Sequence, residues 1–180
     1  MHCNVGFLDP QVFSTTMVQF QTNDITQAVQ KAMKHDFVVG AYNTGGHWVL
    51  VIIAMKWNVV WYLDSAKTFP LRKFKDIAYS GHMENKIKTK SKSRPKLTHK
   101  TDFPCAQQPS GSTSCGFYAA LNMLDLLHDI SIMKKASDYK ATIQVDQGAL
   151  RMIQGMLCEF ILHEIINPKG NFYDVPADNA

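Results

Sequence analysis

The sequence predicts one domain, residues 1–180, built of both strands and helices, and three observations carry that expectation. Two runs rich in β-branched residues, 47–55 and 59–64, lie one short connection apart, the arrangement of an antiparallel hairpin. The first of them shows no polar alternation, which fits a central strand buried on both faces. Two later segments, 117–130 and 146–166, repeat apolar residues at helical spacing. A chain of 180 residues is long enough to bury a real core.

Taken in order, residues 1–13 form a lead-in, with Leu8-Asp9-Pro10 a turn. Asp24 caps a short helix over 25–34, with Ile25, Ala28, Val29 and Met33 on one face. Residues 37–42 read as a buried strand, and Asn43-Thr44-Gly45-Gly46 as the turn that follows it. The hairpin strands come next, joined through Lys56-Trp57-Asn58. A turn centred on Trp57-Asn58 would pair Leu50 with Asp64 and leave His47 about 10 Å further along. A turn at Met55-Lys56 would set His47 opposite Asp64, but it is poor turn chemistry, and a bulge would reconcile the two. Residues 69–79 are amphipathic, with Pro70 suited to a first helical turn. In 117–130 the residues Phe117, Leu121, Leu124 and Leu127 or His128 mark the apolar stripe. In 146–166 Leu150, Ile153, Leu157, Phe160 and Ile161 point inward, and Asn167-Pro168 ends the helix.

Composition narrows the class. At 46% hydrophobic, 11% aromatic and 19% charged, the chain has the make-up of a soluble globular protein. The longest apolar stretch, 48–55, is far too short to cross a bilayer, so no membrane partner is expected. The first residues lack the basic and apolar regions of a signal peptide, which points to the nucleus or cytoplasm. The net charge of +4 is local: residues 86–100 hold seven basic residues and no acidic one. Outside that segment 12 basic residues face 15 acidic ones. The run reads first as a solvated basic loop. Nucleic-acid binding through it stays open, but no aromatic residue interleaves it for base stacking. The four cysteines (Cys3, Cys105, Cys115, Cys158) are irregularly spaced and read as free thiols. None has zinc-ligand spacing, so no metal or other cofactor is expected.

The chemistry centres on Cys115. A polar loop, Gln107-Gln108-Pro109-Ser110-Gly111-Ser112-Thr113-Ser114, runs into a helical segment with Cys115 at the junction. A thiol there meets the positive end of the helix dipole and the unpaired N–H groups of the first turn, which favour thiolate. Those N–H groups can also bind a developing oxyanion, and Gly116 lets a substrate come close. A lone cysteine at a helix start is more often a small buried residue, just as a lone histidine at a strand end is unremarkable. The joint pattern outweighs those readings. His47 opens one strand as a base, Asp64 closes the next as the group that orients it, and Gln108 offers an amide to the oxyanion beside Cys115.

On these residues the chain resembles the ubiquitin-like-protein protease family, the clan of SUMO, NEDD8 and adenovirus-type proteases. The matching motifs are His47-Trp48, Tyr62-Leu63-Asp64-Ser65 and Gln107-Gln108-Pro109…Gly111…Cys115-Gly116. The versions in transposon-derived plant genes are similar in two runs, Tyr42-Asn43-Thr44-Gly45…His47-Trp48-Val49-Leu50 and Gly111-Ser112-Thr113-Ser114-Cys115-Gly116. The resemblance implies an α+β fold in which a mostly antiparallel sheet carries His47 and Asp64, packed by the helix that follows Cys115. It implies peptide or isopeptide cleavage after the C-terminal Gly-Gly of a SUMO-like modifier, with Trp48 and Gly116 binding that diglycine. Gln108 stands seven residues before Cys115, where the pattern usually has six, with Gln107 as the alternative donor. Ser114 stands where an Asp is usual. The chain begins close to the family's core, so part of an N-terminal modifier-binding surface is expected to lie outside it. Two rival readings keep the fold: a catalytically silent binding module, and an acetyltransferase using the same triad.

Overall fold

The computed structural model describes residues 4–11, 13, 14, 22–32, 34–54, 57–67, 97–128, 130 and 147–174. The helix expected over 69–79 and most of the basic run 86–100 lie outside these residues. The chain divides into two compact units, 1–144 and 145–180.

The first unit is built on a five-stranded sheet in sequential order: β1 (Val5–Phe7), β2 (Phe37–Asn43), β3 (Trp48–Ala54), β4 (Val59–Leu63) and β5 (Thr98–Lys100). The three central strands are antiparallel, and the short outer strands run parallel to β2 and β4. The central strands are the ones whose β-branched runs were legible. β3 is buried at every position from Val49 to Ala54, as its lack of polar alternation requires.

The period of two divides β3 between two cores. Val49, Val51 and Ile53 join Val38, Tyr42, Val60 and Tyr62 on one face, where helix α1 (Thr22–Ala32) contributes Val29 and Ala32. Leu50, Ile52 and Ala54 join Phe37, Trp61, Leu63, Phe103 and Cys105 on the other, where helix α2 (Cys115–His128) contributes Leu126. Gly40 is needed where the first face is tightest. A Cβ there would stand 2.9 Å from Leu8 Cβ and 3.0 Å from the Phe13 ring. Tyr62 ties β4 to β5 through its hydroxyl, 2.7 Å from His99 Nδ1, and burial raises the phenol's pKa well above its ordinary value.

Several expectations need correction. Helix α1 starts at Thr22, so Asp24 lies in its first turn, where its charge favours the dipole, instead of capping it. The buried residues of α2 are Cys115, Tyr118, Ala119, Leu121, Asn122 and Leu126; of the stripe expected, Leu121 is buried while Leu127 is 38% exposed. The rest of the stripe was misplaced because a buried asparagine, Asn122, sits in its middle, which an apolar count skips. The hairpin register also differs from both alternatives: Leu50 pairs with Leu63 and Ala54 with Val59.

The second unit carries α3 (Gln147–Phe160), which passes into a π-helical stretch, Ile161–Ile166, and stops at an extended Asn167. The predicted span and its Asn167-Pro168 stop hold. Phe160 and Ile161, expected inward, are 45% and 42% exposed, and of the five residues expected inward Ile153 alone is buried. The change of helical period at Ile161 moves residues off the stripe that 3.6-residue spacing would draw. Among the described residues no helix is long and apolar enough to cross a membrane.

Candidate active site

The turn between β2 and β3 delivers His47. Asn43 Oδ1 accepts the Gly45 N–H (2.9 Å), and Gly45 takes φ +97°, open to glycine alone at no steric cost. The His47 carbonyl then accepts the Thr44 N–H (2.8 Å) and the Thr44 hydroxyl (3.0 Å), which fixes the histidine just ahead of β3.

Asp64 lies one residue past the end of β4. Continuing the observed register sets Asp64 beside Val49, about 7 Å along the strands from His47 at ~3.3 Å per residue. The side chains close that gap without a bulge: Asp64 Oδ1 stands 2.6 Å from His47 Nε2. The same oxygen accepts the Ala66 N–H at 2.9 Å, so the carboxylate has a fixed rotamer. The side chains of His47 and Asp64 are only 17% and 10% exposed, which strengthens their attraction. With Nε2 engaged by Asp64, Nδ1 is the ring nitrogen left to face a thiol.

Cys115 is the first residue of α2. The Ser114 carbonyl accepts the Phe117 and Tyr118 N–H groups (3.0 and 3.2 Å), and its own N–H donates to Ser112 Oγ at 3.2 Å. Ser114 is therefore the capping residue, and the N–H groups of Cys115 and Gly116 open the helix without intrahelical acceptors. Gly116 faces Trp48: a Cβ on Gly116 would lie 3.6 Å from the indole Cδ1. That contact brings the residues beside His47 and Cys115 together.

Gln108 is anchored beside this junction. Its N–H donates to the Ser65 carbonyl (3.0 Å), its Oε1 accepts the Ser65 hydroxyl (2.7 Å), and its Nε2 donates to the Ser112 carbonyl (2.9 Å). One amide N–H remains for another acceptor. The extra residue before Cys115 is absorbed in a turn over Pro109–Ser112, closed by the Ser112 N–H on the Pro109 carbonyl (3.1 Å), with Gly111 at φ +76°.

Ser65 was part of the quoted motif but had no role in the sequence reading; here it is the buried partner that sets the Gln108 amide. Cys105 was missed as well. Its thiol donates to the Asp64 carbonyl (3.7 Å), and burial, reinforced by the Asp64 charge, pushes its pKa up to about 11. A thiol so far from thiolate is a poor nucleophile. Among the described residues no group of three or more His, Cys, Asp or Glu could hold a metal ion.

The profile of the Ulp1 protease family, C-terminal catalytic domain, matches residues 9–146. A search of curated protein sequences found no match. Among solved structures the chain is similar to the SUMO protease Ulp1 with its catalytic cysteine oxidised to a sulfenic acid. The TM-score is 0.63 at 19% identity, over 88% of this chain and 68% of the other. The Ulp1 protease domain in complex with Smt3, the yeast orthologue of SUMO, matches at a TM-score of 0.55 and 20% identity, over 88% and 68%. The Ulp1-like SUMO protease catalytic domain of Chaetomium thermophilum matches at 0.57 and 14%, over 84% and 57%. These likenesses bear out the α+β fold, and the profile covers β2 to β5, the turn of His47 and the whole of α2. The chain belongs to the Ulp1 protease family of cysteine peptidases.

Proposed function

We propose that this peptidase cleaves the peptide or isopeptide bond that follows the C-terminal Gly-Gly of a SUMO-like modifier. The observation that carries the reading is the 2.6 Å pair of His47 and Asp64 at the end of the sheet where Trp48 meets Gly116. In this reading Cys115 Sγ, as thiolate, attacks the glycine carbonyl carbon, and a C–S bond forms. The carbonyl oxygen becomes an oxyanion beside the Cys115 N–H and the free N–H of the Gln108 amide. His47 Nδ1 gives its proton to the amine, the C–N bond breaks, and a thioester remains. Water, deprotonated by His47, then attacks the thioester and releases the modifier with a free C-terminus. Asp64 holds the ring tautomer and stabilises the imidazolium. The Trp48 indole, within van der Waals reach of a methyl placed on Gly116, is an aromatic wall beside Cys115, which supports a segment without side chains, such as diglycine, as the one bound along it.

The test is cleavage of a SUMO precursor that carries residues beyond its Gly-Gly. The expected outcome is a new C-terminus at the second glycine, abolished by Cys115→Ala with the melting temperature kept. Cleavage that survives Cys115→Ala, or a cut elsewhere, overturns the reading.

A further inference from the structure

The geometry points to Gln107 as a positioning residue that ties the nucleophile's helix to the carboxylate orienting His47, an inference that rests on the triad reading above. Asp64 lies just past the end of β4, where its carbonyl accepts the Lys67 N–H at 3.3 Å. It also accepts the Gln107 Nε2–H at 3.3 Å and the Cys105 thiol at 3.7 Å. Gln107 Nε2 also stands 3.2 Å from the Cys105 carbonyl and 3.1 Å from Cys105 Sγ. An amide has two N–H groups, so these acceptors commit both.

The next residue back completes the link. The Ala106 N–H donates to Oδ1 of Asn122 at 2.9 Å, and Asn122 is buried on α2 two turns after Cys115. A chain of bonds thus runs from α2 through Asn122, Ala106 and Gln107 to Asp64 and His47. Packing cannot replace it on that side, because Asp64, Lys67, Cys105 and Gln107 line a cavity of about 370 Å³. These polar ties, with that of the Lys67 N–H, hold the main chain of Asp64 at the edge of the cavity. Gln107 therefore acts through Asp64 and does not supply the oxyanion donor, which stays with Gln108.

The experiment measures kcat and KM on the C-terminal aminocoumarin amide of SUMO, for Gln107→Met, Asp64→Asn and the double variant. Gln107→Met keeps the length and loses both donors. It is expected to lower kcat about tenfold with KM within about twofold, the size of one lost hydrogen bond. The double variant is no slower than Asp64→Asn, because both changes remove one function. Gln107→Glu, isosteric and unable to donate when ionised, gives the same loss should Gln107→Met fold poorly. Additive losses in the double variant, or a change in KM alone, overturn the role of Gln107. A normal rate in Asp64→Asn overturns instead the triad reading beneath it.

Discussion

Asp64→Asn tests what the hydrogen bond between Asp64 and His47 contributes. Asp64 Oδ1 accepts from both His47 Nε2 and the Ala66 N–H. The amide oxygen of an asparagine would keep the Ala66 bond and with it the same orientation. The histidine tautomer survives, and the loss is electrostatic. A charge-assisted bond contributes about 1.5–3 kcal/mol. Unit charges about 4 Å apart at an effective dielectric constant of about 20 set a ceiling near 4 kcal/mol. At 1.36 kcal/mol per factor of ten, a loss of about 2–4 kcal/mol lowers kcat/KM roughly 30- to 1,000-fold. Asp64→Ala, which also frees the ring, falls further. The assay is steady-state hydrolysis of the SUMO aminocoumarin amide from pH 5 to pH 10. A rate for Asp64→Asn within twofold of the parent refutes the reasoning, because the imidazolium would then owe nothing to this carboxylate.

The other predictions concern the base and the frame around it. His47→Ala is expected to reduce turnover nearly as far as loss of Cys115, since the two act as a unit, with single-turnover kinetics as the check. Gly40→Ala forces a methyl to 2.9 Å from Leu8 Cβ and is expected to lower the unfolding free energy by about 1–3 kcal/mol in urea titrations. The Cys105 thiol, raised by burial from 9.0 to about 11, makes stability fall with rising pH in that window. The unfolded thiol ionises first, so its contribution is whole below pH 9 and declines by on the order of 2 kcal/mol toward pH 11. Cys105→Ala removes that part of the decline and leaves the part due to Tyr62, which urea titrations at pH 8, 9.5 and 11 separate.

The parts of this protein legible in its sequence are those made by local pattern. β3 and β4 announced themselves because a strand buried on both faces needs an unbroken apolar run. Cys115 announced itself because a Gly/Ser loop passing into a helix has its own composition. β1 and β5 were illegible: each is three residues long, and each exists through parallel pairing with a strand more than 25 residues away. The hairpin register could not be read, since it depends on the path of the connection at 55–58. The bonds of Ser65, Cys105, Gln107 and Asn122 join positions 16 to 43 residues apart, and nothing in their local sequence marks them.

The central claim is that Cys115 forms a thioester with the last glycine of a SUMO-like modifier. The most direct measurement is intact mass after incubation with SUMO, NEDD8 and ubiquitin, each carrying a C-terminal electrophile in place of the last glycine. The account predicts a covalent adduct with SUMO at one site, lost in Cys115→Ser. Folded protein that takes up none of the three contradicts it, and leaves the silent module or the acyltransferase in its place.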